Sequence, residues 1–324
     1  MSKRDEFIKA FNVPPVFQSY LDYLANSQEM DLVLALQNEK LTFQDICTIM
    51  GWSAKESEII LSKAVFKGIV LKEKKEYTET YTAGDFYGRL EPLAMYENWS
   101  DIRIKIREEV NELYLQDYIE KCRPVLEEIK NDSTAYHDIP NRDVLLLEEA
   151  LEMVEGATEH LVLPCDCRPV MLKCNFPLNF CIRLDRGARL TKEKGHGRLI
   201  TKDECKSIVL DADRFGLMHT GLKAWKENPN ELFGLCSCCG CCCFPILSGI
   251  RLDMEKQYPR AHYIASHDPD NCELCENCAK RCHFRAFTFE ESELSFNPEK
   301  CWGCGLCATG CPAIAIKMMP LSIS

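Results

Sequence analysis

The sequence predicts an α+β chain made of four successive parts. Three observations predict it. The first hundred residues carry apolar positions at helical spacing and paired helix caps. A middle stretch runs short apolar strands into clustered cysteines, and near the end two four-cysteine runs flank a short hairpin. The parts are a mainly helical unit at 1–100, a helical connector at 101–135, a cysteine-rich α/β region at 136–260 and a terminal unit at 261–324.

In the first part, residues 7–11 and 16–24 read as short helices around Pro14 and Pro15, and 30–36 repeats apolar residues at helical spacing. Thr42 opens a helix through Met50 that Gly51 ends, and Ser53 opens a second, to Lys67, that Gly68 ends. Residues 69–71 form a strand, 72–78 a charged hairpin, and Tyr81 lies on the return. Helix, turn, helix and two-stranded wing resemble the winged-helix domain, many of whose members bind DNA. The second helix, however, mixes Lys55, Glu56, Glu58, Lys63 and Lys67, and over residues 1–100 acidic side chains outnumber basic ones 15 to 11. A surface that tracks phosphates is basic, so a protein-interaction or structural role is preferred to nucleic-acid binding.

Residues 100–130 read as a long helix with Val110, Leu113, Tyr114, Asp117 and Tyr118 on one face, broken near Pro124. Residues 131–134 are a linker signal. An amphipathic helix over 141–154, stopped at Gly156, then leads to a short buried strand at 161–163.

That strand delivers the chain into the first of two cysteine bursts: Cys165, Cys167, Cys174 and Cys181, then Cys236, Cys238, Cys239, Cys241, Cys242 and Cys243. Between them Thr201 and Glu204 make a capping box for a helix ending at Gly216. Ten thiols exceed what a single four-ligand site uses, and adjacent cysteines on an extended chain face opposite ways, so these residues are read as ligands of one or two further iron-sulfur clusters. A structural zinc site and inert buried thiols are the alternatives. The bursts resemble those of iron-sulfur proteins of unassigned role. Cys47, Cys122 and Cys205 are read as packing residues, although Lys121 and Arg123 beside Cys122 would lower its pKa; His219 is read as a core histidine.

The terminal unit carries the strongest signal. Cys272, Cys275, Cys278 and Cys282 form one run, and Cys301, Cys304, Cys307 and Cys311, followed by Pro312, form the second. Two-residue gaps wrap three thiolates round a corner of an iron-sulfur cube, and the fourth cysteine of each run reaches the other cube. This assigns Cys272, Cys275, Cys278 and Cys311 to one [4Fe-4S] cluster, and Cys301, Cys304, Cys307 and Cys282 to a second. Zinc is the alternative for paired Cys-x-x-Cys knuckles. Residues 268–318 thus resemble a bacterial-type ferredoxin with two [4Fe-4S] clusters. Residues 286–289 and 294–296 suit its small hairpin, and Phe284, Phe287, Phe289, Phe296 and Trp302 would wall water from the clusters. His283 stands where the family pattern has proline, and is read as a surface or supporting residue rather than a ligand.

The chain has 324 residues and 21 cysteines, where about four or five would be usual. Its start, Met1 to Ile8, is charged and lacks the apolar stretch of a secretory leader, so the expected compartment is the reducing cytoplasm. No run reaches a membrane-spanning length, so no direct membrane insertion is expected, and a net charge of -11 argues against a chain built to hold nucleic acid. There is no phosphate loop, no dinucleotide fingerprint around Gly195 and Gly197, no zinc-protease motif and no nucleophile elbow.

The expected function is electron transfer by several clusters to or from a partner oxidoreductase in anaerobic metabolism, a carrier or subunit more than an independent enzyme. Glu273, Glu276, Glu290, Glu291, Glu293 and Glu299 would steer a partner with a basic docking face. The competing readings are a redox-sensing DNA regulator and a reductase with a catalytic central cluster.

Overall fold

The computed structural model describes residues 2–37, 39–75, 78–131, 142–223 and 232–321. It is a mixed α+β structure whose chain divides into two compact units, the first comprising Met1–Asp117 with Pro169–Met171 and Lys194–His196.

In the first unit, helices α1 (Lys3–Ala10), α2 (Leu21–Leu24) and α3 (Ser27–Leu36) precede a two-residue strand β1 (Leu41–Thr42) and helices α4 (Phe43–Met50) and α5 (Ala54–Phe66). Strands β2 (Val70–Lys75) and β3 (Thr78–Ala83) and helices α6 (Phe86–Tyr96) and α7 (Ile104–Asn131) follow. Local chemistry sets these boundaries: Ser2 with Asp5, Asn26 with Glu29, Thr42 with Asp45 and Ser53 with Glu56 form reciprocal caps, and Gly51 takes the left-handed conformation at φ 66°. The core is aromatic, with Phe7 and Phe11 stacked at 4.9 Å and Phe17 edge-on to Phe86 at 5.1 Å. Arg89, wholly buried, donates to the carbonyls of Leu24 and Tyr23 and pairs with Glu97.

Two expectations change here. The segment read as a charged hairpin is strand up to Lys75 and again from Thr78, with 76–77 outside the described residues, and β1 joins it in a sheet of order β1-β3-β2. Pro124 does not break α7, although proline removes a helical hydrogen bond at a cost of about 3 kcal/mol. Leu126 and Ile129 beyond it are buried against Met254 and Tyr258, and burial of two such side chains is of comparable size. Residues 132–134 of the expected linker lie outside the described residues.

The second unit starts in the latter part of α7, at Tyr118. Its elements are β4 (Arg142–Leu145), α8 (Leu147–Gly156), β5 (His160–Leu163), α9 (Cys167–Met171), β6 (Cys181–Leu184), α10 (Asp185–Glu193), β7 (Arg198–Leu199), α11 (Lys202–Arg214), β8 (Met218–Lys223), β9 (Leu232–Cys238) and α12 (Phe244–Arg251). The chain then runs through β10 (Tyr263–His267), α13 (Asn277–Arg281), β11 (Phe287–Glu290), β12 (Glu293–Phe296), α14 (Leu306–Thr309) and β13 (Ile316–Pro320). The helix expected over 141–154 is therefore a strand followed by a helix. Val144 has a sheet neighbour, Thr220, and is fully buried, which outweighs the helical spacing of its surroundings. Thr201 caps α11 as expected, but Glu204 turns to Arg198 instead of closing the box.

The main sheet has the order β4-β8-β9-β6-β5-β7 and is antiparallel at each pairing. Strand alternation gives it two different faces. Leu145, Ile182, Leu184 and Leu235 pack one face against α8 and α11 with Val154, Cys205 and Val209. On the other, Cys236 lies opposite both Cys181 and Thr220, Val144 lies opposite Thr220, and Met218 lies opposite Cys238. Among the described residues no helix is long and apolar enough to cross a membrane.

Candidate metal centres

The C-terminal thiols gather in two sets. Cys272, Cys275, Cys278 and Cys311 line one cavity of about 10 Å³, with Leu294 and Ile316. Cys282, Cys301, Cys304 and Cys307 line another of about 20 Å³, with Phe284, Phe287 and Trp302. Each set therefore mixes three cysteines of one run with the last cysteine of the other. Local backbone chemistry fixes them: Glu276 and Gly305 take left-handed conformations that start α13 and α14, and the N–H groups of Ala286 and Ala315 donate to Cys282 Sγ at 3.2 Å and Cys311 Sγ at 3.3 Å.

The two cavities differ in their surroundings. Cys275 is exposed at the first, whereas Cys301 and Cys307 are buried at the second, where burial pushes the Cys304 thiol up to about 12. Phe284 stacks on Trp302 at 4.6 Å and both line the second cavity with Phe287; Phe296 packs 4.5 Å behind Phe287, and neither Phe296 nor Phe289 lines a cavity. Strand β10 pairs with β13, Tyr263 lying opposite Pro320 and His267 opposite Ile316, a closure the sequence did not reveal.

The ten central thiols also come together, in two groups. Six of them, Cys165, Cys167, Cys181, Cys236, Cys238 and Cys243, line a hollow of about 80 Å³ on the sheet's second face. They form a continuous string: hydrogen-bonding contacts run from Cys165 to Cys167, on to Cys243, Cys238 and Cys236, and end at Cys181. The Cys243–Cys238 sulfur separation is 3.3 Å. Cys174, Cys239, Cys241 and Cys242 make the second group, their four sulfurs all within 4.8 Å of one another. Cys239 and Cys242 also reach the wall of the hollow.

Three arginines line the hollow with the thiols. Arg183 donates to Cys181 Sγ at 3.1 Å, Arg142 to Cys236 Sγ at 3.6 Å, and Arg168 to the carbonyls of Pro177, at 2.7 Å, and Ser237. Gly234 leaves the space beside Arg183: a Cβ there would sit 3.5 Å from its Cδ and 3.0 Å from the Ile182 carbonyl. Cys236 is held well below the usual thiol range, first by hydrogen bonds from Cys181 and Cys238, with Arg142 and Arg183 adding their charge. Arg183 is raised in turn, chiefly by Cys181. Soft thiol donors, charge-compensating guanidiniums and a hollow roomier than either C-terminal cavity are the donor set and space that an iron-sulfur cluster needs.

Sequence reasoning did not single out the arginines. Arg168 and Arg183 stand one and two residues from cysteines, which was a usable signal, but only the pairing of β4 with β8 brings Arg142 here.

Cys47 and Cys205 are buried in the first unit and under α11. Cys122 packs against the buried cluster of Leu126, Ile129, Met254 and Tyr258, and burial raises its pKa despite Lys121, reversing the expected direction. His219 is fully buried, and His283 Nε2 donates to the Gly216 carbonyl at 2.7 Å. No thiol of the chain is in a disulfide.

No curated protein and no solved structure matches the chain. Residues 271–315 match the family of 4Fe-4S dicluster domains. With eight thiols lining two cavities there, the C-terminal region is an iron-sulfur domain of the kind that binds [4Fe-4S] clusters.

Proposed function

We propose that the chain is a multi-cluster electron-transfer protein that passes single electrons at low potential to or from a partner oxidoreductase in anaerobic metabolism. In this reading Cys272, Cys275, Cys278 and Cys311 hold one [4Fe-4S] cluster, Cys282, Cys301, Cys304 and Cys307 a second, and the hollow's six thiols at least one more. Bound clusters supply reversible one-electron chemistry without acid or base catalysis.

One observation carries the reading: Trp302, Leu306 and Cys304 of the C-terminal region pack in a single apolar cluster with Cys236, Cys238 and Cys243 of the hollow. The second C-terminal site and the centre thus share one apolar cluster. The first site opens outward, with Cys275 exposed and Leu274 51% exposed, and serves as the port. Exposed Glu273, Glu290, Glu291, Glu293 and Glu299 surround that region in sequence and give a basic partner something to dock on.

The α4–α5–β2–β3 succession supports a winged-helix-like N-terminal unit. We assign it to protein docking, because its second helix is mixed in charge.

An EPR-monitored redox titration of the full chain, purified without oxygen, tests the proposal. It should show reversible uptake of about three electrons or more per chain, with interacting signals. Uptake of none, or of signals that do not return on reoxidation, would refute it.

A further inference from the structure

The four thiols outside the string of six close on one point, all four sulfurs lying within 4.8 Å of one another, whereas the six touch only in succession, as Cys243 and Cys238 do at 3.3 Å, and are strung round a hollow of about 80 Å³. Cys174 Sγ lies 3.7 Å from Cys239 Sγ and 3.5 Å from Cys242 Sγ, and Cys241 Sγ lies 3.7 Å from Cys242 Sγ. A single tetrahedral ion with metal–sulfur bonds of about 2.3 Å separates its ligands by about 3.8 Å along each edge. On a [4Fe-4S] cube each thiolate stands one further bond out from its own iron corner, so four thiolates that all lie within 4.8 Å of one another cannot cap its four corners. The C-terminal thiols, which lie in a dicluster domain, form no such close group among the described residues, but surround cavities.

We propose that Cys174, Cys239, Cys241 and Cys242 hold one mononuclear tetrahedral ion, zinc or iron, and not an iron-sulfur cluster. The proposal rests on the reading of the central thiols as metal ligands, and assigns the two groups different work. Four protein thiolates fill a tetrahedral shell and leave no position for substrate, so the ion is structural. It ties the loop after α9, which carries Cys174, to the turn after β9, which carries the other three.

That turn also seats the C-terminal region. A Cβ on Gly240 would come within 2.9 Å of His283 Cβ, so only glycine allows the approach, and Phe176 of the Cys174 loop meets the His283 ring edge-on at 6.1 Å. Arg168 lies against Cys239 and offsets the charge of the site.

The test measures zinc, iron and acid-labile sulfide in the anaerobically purified full chain and in Cys174→Ser and Cys241→Ser. The wild type should hold one metal ion per chain in excess of its sulfide. If the ion is zinc it appears as such; if iron, iron exceeds sulfide by one and high-spin ferric iron appears by EPR on oxidation. Each variant should lose that one ion and keep its sulfide.

About twelve irons matched by as many sulfides, with no zinc, would overturn this assignment and leave the electron-transfer reading standing. About eight of each with no further metal would overturn this assignment together with the reading of the central thiols as metal ligands, and confine electron transfer to the C-terminal region. If the variants fail to fold, the ratio in the wild type still decides.

Discussion

Arg281, the residue before Cys282, bonds Asp213 near the end of α11: its Nη2 donates to the Asp213 carbonyl at 2.8 Å and to the carboxylate at 3.2 Å. Thr309 donates to the other carboxylate oxygen at 3.0 Å, and Arg281 Nε donates to the Leu306 carbonyl at 2.8 Å. One guanidinium thus joins α13, α14 and α11, and holds the iron-sulfur domain against the central sheet's helices. Burial raises the Asp213 pKa, and Arg281 opposes it.

Replacing Arg281 by Met leaves Asp213 largely buried without its partner, so stability should fall by on the order of 1 to 3 kcal/mol. Chemical unfolding followed by circular dichroism measures it. Loss of coupling between EPR signals should accompany the change, and an unchanged unfolding midpoint would contradict the docking role.

The crossed arrangement of the C-terminal thiols makes a second prediction. Cys311→Ala should damage the cluster of Cys272, Cys275 and Cys278, and Cys282→Ala that of Cys301, Cys304 and Cys307. If EPR showed each substitution erasing the cluster of its own run, the proposed ligand sets would be wrong.

These two sets were legible in the sequence because cysteine spacing encodes the turns that wrap a cluster. The caps at Thr42 and Ser53 were legible for the same local reason. The six-stranded sheet was not, since its strands are two to seven residues long and its pairings are remote: Arg142 meets Leu222 and Cys181 meets Cys236. The division of the second burst was hidden too. Cys236 and Cys238 end a strand and face the hollow, but at Cys239 the chain turns through Gly240, so alternation no longer says which way Cys241, Cys242 and Cys243 point.

The acidic surface predicts salt-dependent docking. Reduction of a basic partner should slow steeply as ionic strength rises, because steering acts over a Debye length of about 8 Å at physiological salt. Reversing Glu291 and Glu293 to Lys should slow it at low salt as well. Stopped-flow rates that ignore both would move the port elsewhere.

His219 predicts an acid sensitivity that does not involve the metal sites. It is wholly buried, neither ring nitrogen has a partner among the described residues, and burial lowers its pKa from 6.5 to about 4. Because the folded form stays neutral while the unfolded chain takes up a proton, the native state is unaffected above pH 6.5 and loses stability as pH falls from 6.5 towards 4. Between pH 7 and 5 wild type should lose about 2 kcal/mol more than His219→Leu, by parallel denaturant titrations. Identical pH dependence in the two proteins would contradict this.

Electron transfer through the central region requires its thiols to hold metal in addition to the two clusters of the C-terminal region. Iron and acid-labile sulfide, measured per chain on full-length protein purified without oxygen, test this most directly. About twelve irons or more are expected, with sulfide matching every iron except any held singly at Cys174, Cys239, Cys241 and Cys242, and the excess over eight should fall when Cys236 and Cys238 are replaced by serine. A content of about eight irons and eight sulfides, unchanged by those substitutions, would contradict it and confine electron transfer to the C-terminal region.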